Sequence, residues 1–225
     1  MGSPEQRVVH SSEDPCWGTE QRLFEALNRE ARFKVDLAAT VANAKVQFHS
    51  YELSHTTEVV YLGPDHPDAR FRNALDVRWA EMFEKGPGFL NPPYSKKLLN
   101  ATKDPAYDIY EWARKCFNES EAGFETWGIF PFSPQTEWYR YFIMGHGSNG
   151  QWRGHAAMEV RRIPHRVDFE PSPEYAAKLI QDLAEGKRKS GEVGSAGHNV
   201  VVVRWGPNPG YVGPWVPTER YWDYR

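Results

Sequence analysis

Four consecutive residues, Asn91-Pro92-Pro93-Tyr94, carry the most specific chemistry in this chain. They follow the apolar run Gly88-Phe89-Leu90 and precede Ser95-Lys96-Lys97. Proline has a fixed φ and no amide hydrogen, so the loop is stiff and presents carbonyl acceptors. The Asn91 side chain adds a further acceptor, and Tyr94 adds a flat face for stacking. Such a set suits a planar exocyclic amine, for which the N6 amine of adenine is the model. The Asn91 side-chain oxygen and the Pro92 carbonyl can each take one N–H. That exposes a lone pair otherwise delocalised into the ring. It also stabilises the positive charge that develops when the nitrogen accepts a methyl group. Holding the amine in line with a methyl donor supplies much of the remaining acceleration. In a duplex the base must first leave the stack, and Tyr94 is the natural face for it. The same four residues also serve, more simply, as a Pro-Pro turn after a strand.

The loop needs elements to hold it. Thr19 can N-cap a helix over Glu20 to Ala31, with Leu23, Phe24 and Leu27 on one face. Phe33 to Leu37 alternates and predicts a strand, followed by a turn and short helix over Ala38 to Lys45. Further strands are predicted over Glu58 to Leu62, before Asn91, over Thr126 to Phe130 and over Asn199 to Trp205. Helices are predicted over Asp76 to Phe83, Tyr107 to Phe117, Thr136 to Ile143 and Glu174 to Glu185. Ala157 to Ile163 and Val167 to Phe169 suggest a hairpin. Strands alternating with helices imply an α/β sheet, largely parallel, with a late antiparallel element. Asp36, Asn91 and Pro131 all fall at predicted strand ends, so they should share one edge of the sheet, where ligands of such sheets bind.

Composition narrows the classes. A length of 225 residues suits one domain with a sizeable core. Residues 1–13 read as a flexible polar tail, and 14–225 as a single catalytic domain. Two cysteines, Cys16 and Cys116, are too few for a disulfide framework or a zinc cluster. The eight histidines show no metal-ligand spacing, so no metal is expected. No apolar run approaches a membrane span, and the expectation is a soluble cytoplasmic protein without a membrane partner. The formal net charge of −3 means that nucleic-acid binding requires a local positive face. Candidates are Lys96, Lys97, Arg153, Arg161, Arg162, and the Gly- and Ser-flanked run Lys187-Arg188-Lys189. Each cluster can equally be a solvated surface.

In order, the chain carries Asp14-Pro15-Cys16-Trp17-Gly18-Thr19, Phe33-Lys34-Val35-Asp36-Leu37-Ala38-Ala39 and Asn43-Ala44-Lys45. Then come Asn73-Ala74-Leu75-Asp76, the Asn91 loop, Phe130-Pro131-Phe132, Thr136-Glu137-Trp138-Tyr139, and a Val-rich strand into Trp205-Gly206. This ordered set resembles the phage-type, Dam-like DNA N6-adenine methyltransferases. The resemblance implies a class I S-adenosylmethionine-dependent fold, a Rossmann-like, mostly parallel sheet with helices on both faces. It implies catalysis by Asn91, Pro92, Pro93 and Tyr94. Trp17, Thr19, Asp36, Ala38, Ala39 and Asp76 would bind the cofactor S-adenosylmethionine. Phe132 would line the base pocket. Lys96, Lys97, Lys187, Arg188 and Lys189 would contact double-stranded DNA. Insertions over about 62–73, 97–107 and 186–197 are expected as DNA-contacting loops. A phage- or prophage-encoded enzyme would act in the bacterial host cytoplasm, as a monomer or weak dimer.

The chain departs from the family pattern in two places. Glu20 stands where the family commonly has Pro, and Leu37-Ala38-Ala39-Thr40 replaces the Gly-rich cofactor loop of most methyltransferases. Purely structural roles compete at several positions: an N-cap for Thr19, a capping carboxylate for Asp36, a helix cap for Asp76, packing for Trp17 and Phe132. Two other functions share the Asn91 chemistry or the fold. One is methyl transfer to an RNA adenine or a protein glutamine. The other is a non-catalytic DNA-binding module.

Overall fold

The computed structural model describes residues 18–49, 57–83, 86–187, 199–207 and 217–225. Its strands are β1 (Val35–Asp36), β2 (Gln47–His49), β3 (Thr57–Val59), β4 (Gly88–Leu90), β5 (Thr126–Pro131), β6 (Glu159–Arg162), β7 (Val200–Trp205) and β8 (Thr218–Tyr221). Six of them form one sheet in the order β1-β4-β5-β7-β6-β8, while β2 and β3 pair separately. β1, β4 and β5 are parallel neighbours. β7 runs antiparallel to both β5 and β6, and β8 returns parallel to β6. Within this sheet β7 therefore runs against the other strands. The fold is α/β with a mostly parallel mixed sheet, consistent with a Rossmann-like arrangement.

The central strands β4, β5 and β7 are apolar on both sides because both sides are covered. Along β7, Val201, Val203 and Trp205 enter one core, and Val200 and Val202 enter the other. Along β4 and β5, Leu90 and Phe130 face the first core, and Phe89, Trp127 and Ile129 the second. Each such buried side chain contributes roughly 1.5–3 kcal/mol relative to exposure. Helix α1 (Gln21–Ala31) covers the second core with Leu23, Phe24 and Leu27. The first is covered by Trp79 of the short α2 (Trp79–Met82), by α4 (Ile109–Glu121), and by a π-helix, Tyr139–Ile143. The Trp205 indole donates to the Phe142 carbonyl at 2.9 Å and ties that π-helix to β7. Helices therefore lie on both faces, as expected. No helix among the described residues is long and apolar enough to cross a membrane.

Several sequence expectations are corrected. The strand expected over 33–37 is only Val35–Asp36, because Phe33 and Lys34 precede the ladder with β4. Ala38 to Lys45 contains no helix; Asn43 instead closes a turn by accepting from the Thr40 N–H at 2.7 Å. The expected hairpin over 157–169 does not form, since β6 finds its partners in β7 and β8. The supposed loop insertion over 97–107 is ordered structure: helix α3 (Lys96–Thr102), then a single 3-10 turn, Pro105–Tyr107. Helix α5 (Pro173–Ala184) agrees with its prediction within a residue.

Candidate functional site

The Asn91 loop leaves the carboxyl end of β4, between β1 and β5. Leu90 is the last strand residue, and the two prolines prevent further pairing. Pro92 is buried; Asn91, Pro93 and Tyr94 are half-buried. Asn91 and Tyr94 both have partners within the fold, and burial pushes the Tyr94 phenol up. The loop's far end is fixed twice. The Ser95 N–H donates to the Tyr107 carbonyl at 3.1 Å, and the Ser95 hydroxyl caps α3 by accepting from the Leu98 N–H. Lys96 and Lys97, both exposed, are the first residues of that helix.

On the neighbouring strand, Asp36 pairs in register with Phe89, two residues before Asn91. The Leu37 N–H donates to the Phe89 carbonyl, joining the two strand ends. Asp36 is only 3% exposed. Its carboxylate accepts from the Lys45 N–H at 3.0 Å and from the Ala38 N–H at 3.5 Å. Burial outweighs these bonds and raises its pKa to about 7. Ala39 is buried, and Gly63 crosses directly against it: a Cβ on Gly63 would lie 1.6 Å from the Ala39 carbonyl oxygen. The chain lacks a Gly-rich loop after β1; the close contact at this turn is between two backbones, those of Ala39 and Gly63.

Thr19 sits at the entry to α1, and the expected N-cap is corrected: Glu20 holds that position, without a side-chain cap bond. The Thr19 hydroxyl is instead buried with no hydrogen-bond partner among the described residues. Gly18 bridges Glu170 through a pair of backbone bonds. Lys45 then connects this segment to the Asp36 loop, because its ammonium reaches Glu170 at 2.7 Å and Gln21 at 3.3 Å. The structure therefore brings Thr19, Asp36, Ala38, Ala39 and the Asn91 loop to one end of the sheet. Lys45 and Glu170 were missed as parts of this site. Lys45 belongs to the Asn43-Ala44-Lys45 segment, but nothing in the sequence pairs it with a residue 125 positions away.

The chain matches no family model, no curated protein and no solved structure.

Other expected site residues divide. Phe132 follows β5 at the same sheet edge, half-buried, with the Arg162 guanidinium 4.3 Å above its ring. Asp76 is exposed and accepts from the Asn73 side chain; it does not cap α2, whose N-cap is Arg78. Arg161 is corrected as a surface cation: it is 1% exposed and bound to Glu30 and Glu159. Arg162 pairs with Glu219, and Lys187 with Glu185. Arg153 is exposed and stacks on Tyr141 at 4.0 Å. Trp17, Arg188 and Lys189, with the expected tail and most of the 186–197 loop, lie outside the described residues. No group of acidic, His or Cys side chains suited to a metal occurs among the described residues.

Proposed function

We propose that the protein is a class I, S-adenosylmethionine-dependent methyltransferase acting on the N6 amine of adenine in duplex DNA. The reading rests on one observation above all: the Asn91-Pro92-Pro93-Tyr94 loop leaves the carboxyl end of β4, beside the buried Asp36 at the end of β1. The cofactor residues fit a nucleoside-like ligand. The Thr19 hydroxyl is buried with unmet bonding capacity, and the Asp36 oxygens retain acceptor sites beyond the two N–H groups they hold. Thr19 and Asp36 would hold the cofactor, with Ala38 and Ala39 allowing close approach. When bound, it supplies an electrophilic methyl group on a sulfonium.

The chain's own residues supply the rest. The Asn91 side-chain oxygen and the Pro92 carbonyl take the two N–H groups of the target amine and favour a pyramidal nitrogen. They also stabilise its developing positive charge. The amine releases its proton after transfer, so no general base is required before attack. Tyr94 supports the extruded base by stacking, and Lys96 and Lys97 lie close in sequence for phosphate contact.

The test is methyl transfer from labelled S-adenosylmethionine to unmethylated duplex DNA, with nucleoside analysis of the product. Asn91→Ala should lose turnover by at least about 100-fold, the scale of removing one transition-state hydrogen bond, with cofactor affinity kept. Strong loss of cofactor binding in that variant would contradict the role. Of the other readings, transfer to an RNA adenine or a protein glutamine, the second draws support from the pairing of Arg161, Arg162 and Lys187 with carboxylates, which leaves fewer free cations for the phosphates of either nucleic acid. Competition among DNA, RNA and peptide substrates separates them.

A further inference from the structure

Two polar groups beside Phe132 have unmet hydrogen-bonding capacity. The Tyr139 hydroxyl is fully buried without a partner among the described residues, and so is Nε of Arg162. Both flank one aromatic ring. Tyr139 meets Phe132 edge-on, with centroids 5.9 Å apart, and the Arg162 guanidinium lies 4.3 Å above it. Nη2 of Arg162 donates to Glu219 at 2.8 Å, so one end of the guanidinium is anchored on β8 while Nε is left over. An unpaired buried donor carries a desolvation penalty, and two beside one ring demand an explanation. Their location supplies one. Phe132 follows the carboxyl end of β5, the immediate neighbour of β4, and Arg162 ends β6 at that same edge. Tyr139 opens the π-helix, a distortion frequent at functional sites.

We propose that Phe132, Tyr139 and Arg162 form the pocket for the planar ring of the acceptor nucleobase. The Tyr139 hydroxyl and Arg162 Nε bond its polar edge. The identity of the ring as adenine rests on the methyl-transfer reading above. A guanidinium over Phe132 is a flat group on a flat ring, the geometry that a stacked base also adopts. A base can take that place while Glu219 keeps the Arg162 charge paired. Ring nitrogens accept from Nε–H, and the hydroxyl can donate or accept as the edge requires.

Tyr139→Phe removes the hydroxyl and no bond identified within the described fold. Its Tm should hold or rise, since an unpaired buried group is lost. The probe is a single-stranded oligonucleotide carrying one adenine in an otherwise abasic strand, compared with a fully abasic strand. Binding is read by fluorescence anisotropy with saturating S-adenosylhomocysteine, and the ratio of the two affinities isolates the ring from the backbone. That ratio should fall about five- to tenfold in Tyr139→Phe. It should also fall in Arg162→Lys, which keeps the charge but not the planar fork. An unchanged ratio in Tyr139→Phe overturns the pocket, as does a wild-type ratio of one. Methyl transfer to the same strand is followed separately. An adenine preference that depends on Tyr139 without any transfer supports the pocket and counts against the methyl-transfer reading.

Discussion

Asp36 is a carboxyl that the fold keeps away from water. Its folded pKa of about 7 stands above the unfolded 3.8, so the folded chain holds a proton that the unfolded chain has released. Stability from this residue is fully present below pH 4 and is lost as pH rises through 7. Between pH 4 and 8, wild type should lose up to about 4 kcal/mol relative to Asp36→Asn, which cannot ionise. Urea denaturation across that range measures it, and a pH-independent difference would mean that Asp36 stays ionised throughout. A cost of this kind at a strand end is common where a group is kept for binding rather than for stability. The residue was legible as an acid ending an alternating run. Its bond to the Lys45 N–H was not, because that depends on how the turn over Thr40 to Asn43 folds back.

At the scale of elements, the tightest joint is the crossing of Gly63 over Ala39. A methyl group there meets the backbone rather than a movable side chain. Gly63→Ala should therefore push the Ala38–Lys45 loop away from Leu62 and destabilise the fold by about 3 kcal/mol. Asp36 should lose its Lys45 contact in the same step. Cofactor affinity and urea midpoint should fall together, and a stable variant with intact affinity would show that the loop tolerates displacement. The β-branched run of Val200–Trp205 was readable from composition, and helices with a clear apolar stripe such as α1 from periodicity. The failures share a cause. α3 hides in a stretch after two prolines, where the cap by Ser95 decides its start. β8 is a polar strand with every side chain exposed, defined by its pairing with β6 and not by its pattern. The Tyr139 π-helix reads as an ordinary helix because one extra residue per turn leaves no compositional trace.

The molecule as a whole is braced on the face of the sheet that α1 covers. Arg161 joins α1 to β6 through a two-pronged bond to Glu30, at 2.7 and 2.6 Å, and a third bond to Glu159. Its guanidinium also lies against the rings of Trp127 and Trp222, 4.4 and 5.2 Å from their centroids. Arg220 adds a second cation to Glu159. Removing one partner of a buried ion network strands the others, so Arg161→Ala should cost about 3 kcal/mol. Arg161→Met should recover part of this by packing on Trp127. Activity per folded molecule should be unchanged, because the Arg161 side chain packs on the Trp127 face of the sheet and Arg162 on the Phe132 face. Urea denaturation alongside assays at low temperature checks both parts, and an Arg161→Ala variant as stable as wild type would sink the idea of a brace.

β7 lies between β5 and β6 in space but follows both in the chain. A ribosome therefore delivers β6 well before the strand that attaches it to the rest of the sheet. Until Val200–Trp205 emerges, β5 and β6 each present a bare edge, open to pairing with the wrong chain. Pairing across such sequence separations is slow. The half of the sheet that holds Arg162 comes into being only after Val200–Trp205 has been made.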